Sequence, residues 1–149
     1  MERLKSIIYI SKSTKEVTHP LLDSILQTSR LNNRRTGITG MLVVRHGRFL
    51  QLLEGSKEAV ELLFDKIRND PRHRQVQVLG ACETSERITP AWDMALVAAE
   101  SNPESTEQIL SLFELGNSGQ PYQSPESLRT LLRVFSRDAK LLDPADFSE

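Results

Sequence analysis

The sequence predicts an α+β fold with a sheet of about five strands, two long helices on one face and two C-terminal helices covering the other. Three observations carry this expectation. Apolar periodicity runs strand, helix, strand, strand, helix through residues 5–70. Segments such as 38–44 are apolar on both sides, so both faces of the sheet need cover. Two further helical patterns, each opened by a capping residue and a proline, follow residue 98.

The elements follow in order. Residues 5–11 place Ile7, Ile8 and Ile10 around Tyr9, a β-branched and aromatic run suited to a strand interior. Alternation puts Ile7, Tyr9 and Ser11 on one face, which gives the tyrosine hydroxyl a polar neighbourhood. Over 18–30, Leu21, Leu22, Ile25, Leu26 and Ser29 form a helical stripe, Thr18 can cap, and Pro20 is tolerated in the first turn. Residues 31–37 are rich in turn formers and predict a connection. A strand over 38–44, a hairpin at Arg45, His46 and Gly47, and a strand over 48–54 come next.

Ser56 can cap a helix carrying Val60, Leu63, Phe64 and Ile67, which ends at Asp70-Pro71. Residues 76–82 predict a fourth strand. Along a fifth, Trp92, Met94 and Leu96 alternate with Asp93, Ala95 and Val97. This order predicts a ferredoxin-like sheet with one added strand. Asn102-Pro103 opens a helix through Ile109, Leu112 and Phe113 that Gly116 stops; Ser124-Pro125 opens another through Leu128, Leu131, Leu132 and Phe135. Residues 117–122 between them predict a loop. Residues 1–98 are expected to form the functional domain and 99–149 a helical cap and tail of the same globular unit.

Composition removes several classes of function. A chain of 149 residues is long enough to bury a core without staples, and its single cysteine, Cys82, forms no internal disulfide and fits a reducing, cytoplasmic setting. Cys82 reads as a small buried hydrophobe. No apolar run approaches the length of a membrane span, and the N-terminus has no export signal. A formal charge of -1 gives no basic field for nucleic acid. His19, His46 and His73 are scattered without metal-ligand spacing. Walker, triple-glycine and Gly-X-Ser-X-Gly motifs are absent.

One stretch breaks the pattern. Gln51 lies in Phe49-Leu50-Gln51-Leu52-Leu53, a run bounded by Gly47 and Gly55 that reads as a buried strand. A buried carboxamide left unpaired costs about 1–3 kcal/mol, so a ligand or a partner must meet its donors and its acceptor.

These residues sit within a longer series: Tyr9 and Ser11, Ser29-Arg30-Leu31-Asn32-Asn33, Gly37-Ile38-Thr39-Gly40-Met41-Leu42, Phe49 through Gly55, Asp70-Pro71-Arg72-His73 and Trp92-Asp93-Met94. In that order, over roughly the first hundred residues, the series resembles the motifs of BLUF domains, blue-light sensors that use flavin. The C-terminal helices resemble the cap of short, stand-alone members. The resemblance implies FAD as cofactor, with FMN or riboflavin as alternatives, lying between the two long helices. It assigns flavin contacts to Ile25, Asn32, Asn33, Phe49, Gln51 and Lys66; Lys66, Arg68, Arg72 and His73 are candidates to meet the phosphates of a dinucleotide tail, with a solvated basic surface as the alternative for Arg68, Arg72 and His73 above all. An asparagine carries both a donor and an acceptor, which suits the carbonyls and N–H of the ring; Ile25 and Phe49 suit its apolar faces.

The resemblance further implies that Tyr9 and Gln51 are photoactive, with electron and proton transfer from Tyr9 through Gln51. Trp92 and Met94, expected on one strand face, are candidates to change places near Gln51. Core packing explains Trp92 equally well. Arg48-Phe49-Leu50-Gln51 also echoes the LOV photoreceptors, but His46-Gly47 stands where their Asn-Cys pair is required. No enzymatic output is implied. The expected output is a homo-oligomer whose assembly, or whose affinity for a separate downstream signalling protein, changes through 102–137. Two other classes share the architecture: a flavin-free interaction module, and an acylphosphatase-like hydrolase, for which no phosphate-cradling loop is found.

Overall fold

Side-chain alternation along the central strands divides the core into two layers. The computed structural model describes residues 3–118 and 124–147. Its elements are β1 (Leu4–Ser13), α1 (His19–Thr36), β2 (Thr39–Arg45), β3 (Arg48–Ser56), α2 (Lys57–Arg68), β4 (His73–Thr84), β5 (Ala95–Val97), α3 (Thr106–Ser118) and α4 (Pro125–Arg137), then a 3₁₀ turn at Pro144–Asp146. The strands lie in the order β4-β1-β3-β2-β5. The first four pair antiparallel, and β5 runs parallel to β2. This is the expected ferredoxin-like sheet with its added strand.

On one face, Ile7, Tyr9, Leu42, Phe49 and Leu53 pack with Leu22 and Leu26 of α1 and Val60 and Phe64 of α2. On the other, Ile8, Ile10, Met41, Val43, Leu50 and Leu52 pack with Ile109, Leu112 and Phe113 of α3 and Leu128, Leu132 and Phe135 of α4. Fully burying each such side chain contributes about 1.5–3 kcal/mol, which is why the C-terminal pair closes the sheet's second face.

The local signals that ended or began helices are largely in place. Thr18, Ser56 and Ser124 each accept a backbone N–H as N-caps. β1 and β4 extend past the expected 5–11 and 76–82 at both ends, and larger differences occur elsewhere. The segment 31–36 is helical, and only Gly37, at φ 71, leaves α1 in the left-handed conformation that glycine permits. Asn33 and Arg34 bond Asp93 outside the helix, so the turn propensity loses to tertiary contacts. β5 is only Ala95–Val97, so Trp92 and Met94 are not on a strand. The third helix begins at Thr106 and passes through Gly116 to Ser118. A single glycine costs about 1 kcal/mol in a helix, which a packed amphipathic face outweighs. Of the expected loop at 117–122, residues 119–122 lie outside the described residues.

After α4 the chain returns across the open side of β5. Val97 bridges to Leu141, Leu142 N–H donates to Leu96 O (2.8 Å), and Ala98 N–H donates to Lys140 O (2.9 Å). Phe147 is buried in the α1 and α2 layer, and His19 Nε2–H donates to its carbonyl (2.5 Å). The tail thereby blunts an edge that would otherwise present unpaired backbone groups.

Candidate flavin site

Register brings the central pair together. Tyr9 stands opposite Gln51 in the β1–β3 ladder, and Gln51 opposite Leu42 in the β2–β3 ladder. Both side chains face α1 and α2. The Tyr9 hydroxyl donates to Gln51 Oε1, and Gln51 Nε2 donates to the sulfur of Met94 (3.4 Å). Tyr9 is 1 % exposed and Gln51 8 %. Burial, and secondarily the charge of Asp70, pushes the phenol well above the usual tyrosine range, so it keeps its proton.

These two side chains form the floor of an open cleft of about 900 Å³, its mouth included. One wall is α1, where Ile25, Ser29, Asn32 and Asn33 follow helical spacing along one stripe. This stripe exists because α1 continues to Thr36; a turn at residue 31 would have aimed both asparagines elsewhere. The facing wall is α2, through Leu63, Lys66 and Ile67. Phe49, Leu42 and Leu53 line the sheet side, and Asp70, Arg72 and His73 close one end.

The two asparagines differ. Asn32 lies at the exposed rim. Asn33 is 1 % exposed; its Nδ2 donates to the Asp93 carbonyl (2.6 Å), while its Oδ1 is buried and has no hydrogen-bond partner. An unmet buried acceptor costs about 1–3 kcal/mol. It calls for a ligand N–H.

At the closed end, His73 Nε2 sits 2.6 Å from the Ile67 carbonyl, which can only accept, so Nε2 carries a proton. Nδ1 pairs with Ser11 Oγ (3.0 Å). The polar neighbour of Tyr9 on its strand face is therefore engaged with the histidine, not with the phenol. His73 meets Tyr9 and Phe49 edge-on, at ring-centroid distances of 6.5 and 6.4 Å. Arg72 lines the cleft, but its guanidinium is engaged by Asp70 (2.6 Å for Nη2 to Oδ2), whose carboxyl the hydrogen bond holds below the usual range. Lys66 is exposed at the rim and makes no ion pair among the described residues.

Several expectations need correction. Arg68 is not among the residues lining the cleft: its guanidinium lies 5.7 Å from the Phe64 ring centroid, in a cation–π contact. Trp92 and Met94 do not share a face. Met94 belongs to the layer beneath α1 and α2, whereas Trp92 packs against the layer beneath α3 and α4. Strand alternation fails there because side chains and a strand amide take the backbone carbonyls: Gly40 N–H bonds Trp92 O, Asn33 bonds Asp93 O and Arg30 bonds Met94 O. Cys82 is half-buried rather than buried, with its thiol raised chiefly by burial. Asp70, read from sequence as a helix stop and as part of the motif series but given no site role, is a cleft residue. Its spacing to Arg72 is the signal that could have marked it.

The donor set suits an isoalloxazine: flat apolar walls, an unmet buried acceptor for an imide N–H, and an amide on the floor. Among the described residues no His, Cys, Asp or Glu cluster could hold a metal ion, and no helix is long and apolar enough to cross a membrane.

Comparison with known proteins agrees with this geometry. The family model of BLUF, "Sensors of blue-light using FAD", matches residues 4–95. Photoactivated adenylate cyclase subunit beta of Euglena gracilis is 34 % identical over 111 residues, 74 % of this chain. The chain spans only about 12 % of that relative's length. The ground-state structure of BlsA superposes with TM-score 0.72 at 28 % identity, covering 92 % of this chain and 91 % of BlsA. The dark-state structure of BlrB, a BLUF protein, gives 0.65 at 27 %, covering 89 % and 97 %.

Proposed function

The chain belongs to the BLUF family of blue-light sensors, and from that membership we propose that FAD lies between α1 and α2 while Tyr9 and Gln51 form the proton relay that registers light. Blue-light sensing through a bound flavin is the function of this family. The observation carrying the residue-level reading is the buried Tyr9–Gln51 hydrogen bond on the floor of a cleft lined by Asn33, whose buried Oδ1 has no hydrogen-bond partner.

The flavin supplies the blue absorption and an oxidising excited state. Tyr9 holds the mobile proton at its phenolic oxygen and is the electron source. Gln51 takes a proton at Oε1 and can release one from Nε2, because its acceptor and donors sit on one rotor. Rotation or tautomerisation then changes its hydrogen-bond pattern without moving the backbone, and Met94, bonded to Nε2, is the first neighbour to respond. Ile25, Phe49 and Asn33 hold and orient the ring. Asn32 and Lys66 serve the rim, where Lys66 is the cation available to a phosphate-bearing tail. Arg72 and His73 shape the closed end. Trp92 is half-buried against the core of the far face and takes no part in the relay.

Residues 1–98 form the sensor and 99–149 its cap. The sensor itself carries no catalytic step, and its output is a change in self-association or in affinity for a separate signalling protein. Support for a partner comes from the curated relative, an adenylate cyclase subunit by name, of which this chain matches a small part. An absorption spectrum before and after blue light tests the reading. The purified chain is expected to be yellow, to shift slightly to the red on illumination and to recover in darkness. A chain that stays colourless after incubation with FAD would end the proposal. A normal shift in Tyr9→Phe or Gln51→Leu would exclude the relay.

A further inference from the structure

A second buried polar cluster lies on the opposite face of the sheet, outside the light-sensing cleft. Glu54 is three residues beyond Gln51 on β3, an odd step that turns its side chain toward α3 and α4. There it is 0 % exposed. Its Oε1 accepts the backbone N–H groups of Ile88 (2.7 Å) and Thr89 (3.2 Å), and its Oε2 accepts Arg129 Nη1 from α4 (2.7 Å). Arg129 also donates from Nη2 to the Glu86 carbonyl (3.0 Å). Arg87 adds bonds to Thr39 Oγ1 (2.8 Å) and the Glu54 backbone oxygen (3.2 Å). The start of the β4–β5 connection is thus fastened to β3 and to α4 at once.

The end of the same connection is fastened to the cleft. Asn33 holds the Asp93 carbonyl, Arg30 holds the Met94 carbonyl, and Gln51 holds the Met94 sulfur. One segment, 86–94, therefore touches the relay glutamine at one end and α4 at the other. We propose that the Glu54–Arg129 ion pair is the positioning element that transmits a rearrangement at Gln51 to α4. The inference rests on the flavin-relay reading above.

The physical reason is the burial of both charges. A buried ion pair whose partners separate loses its attraction and leaves an uncompensated charge out of water, so α4 must follow the connection instead of letting go of it. A second arrangement is also within reach. Ser6, opposite Glu54 in the β1–β3 register, and Thr89, whose N–H already binds the carboxylate, each have a buried hydroxyl without a hydrogen-bond partner. Such spare donors allow Glu54 to exchange its backbone N–H partners while remaining paired with Arg129, which is what a two-state element needs.

The test compares hydrogen exchange of α4 in darkness and under blue light, in the flavin-loaded chain and in Arg129→Met, with absorption spectra taken in parallel. The unsubstituted chain is expected to show a light-dependent change in exchange over 125–137. In Arg129→Met the red shift should persist, while the light-minus-dark difference in α4 falls by about fivefold or more. A pair that only seats the helix would raise exchange equally in both states and leave that difference intact; this result overturns the proposal. So does an α4 in the unsubstituted chain that ignores light while the spectrum shifts normally. If Arg129→Met fails to fold, Arg129→Lys decides: it keeps the charge but not the planar two-nitrogen fork, so roughly half the difference is expected, and an undiminished one refutes the coupling. Absence of the red shift in the unsubstituted chain would instead sink the light-sensing relay, and this proposal with it.

Discussion

A double-mutant cycle on Tyr9 and Gln51 tests the relay by a quantity that the structure fixes in advance. Tyr9→Phe removes the donor to Gln51 Oε1 and strands an amide oxygen that is almost wholly buried. Gln51→Leu strands the phenol, which is 1 % exposed. Each single change should therefore cost about 1–3 kcal/mol, the desolvation of an unmet buried polar group. The double variant leaves neither partner stranded. Its destabilisation should fall short of the sum of the singles by about 1–3 kcal/mol, the coupling expected of two residues sharing one bond. Urea unfolding of the flavin-free chain reads this directly: at a slope of about 1–3 kcal/mol per molar urea, the discrepancy amounts to roughly 1 M in the midpoint. Additivity within about 0.3 kcal/mol would mean that the two side chains do not share the bond, and the relay would lose its first step.

Three further outcomes follow from the cleft and the sheet. Asn33→Ala should weaken flavin binding by roughly 5- to 150-fold, and Asn32→Ala, at the exposed rim, by less than about fivefold; titrations in the reverse order would show that the buried acceptor is not the one the ring uses. Gly40→Ala should destabilise by about 3 kcal/mol, because its Cβ would run into the Leu52 carbonyl and approach Met94 Cε to 3.1 Å, where β2 cannot withdraw from β3. A thermal midpoint within about 2 °C of the parent chain would contradict this, since such a loss corresponds to roughly 6–12 °C. The third outcome concerns pH. Below about pH 10 the Tyr9 phenol is protonated in both folded and unfolded chains; above that the unfolded chain ionises first, so stability falls as pH rises toward the elevated folded value. The amplitude of the red shift should accordingly stay flat from about pH 6 to about pH 9, and a titration step near neutrality would point to a different proton donor.

Much of this molecule was legible in the chain because the relevant physics is local. Alternation about Tyr9 and Gln51, the helical stripes, and the caps at Thr18, Ser56 and Ser124 depend on spacings of two to four residues, and these the sequence carries by itself. The resemblance of the motif series supplied the flavin. Tertiary structure decided whatever depends on a partner far along the chain. Asn32 and Asn33 have turn-forming chemistry, yet the Asp93 carbonyl, sixty positions away in sequence, helps keep Asn33 in a helix and leaves its oxygen buried without a partner. Trp92 and Met94 look like strand neighbours, but carbonyl partners at Gly40, Asn33 and Arg30 break the alternation and send the two side chains to opposite layers. Arg129 and Glu54 are 75 positions apart, and no periodicity announces them. A hydrogen bond or ion pair between distant residues can outweigh a local propensity of a few tenths of a kcal/mol, and which distant residues meet is settled only when the sheet and its two helical layers close.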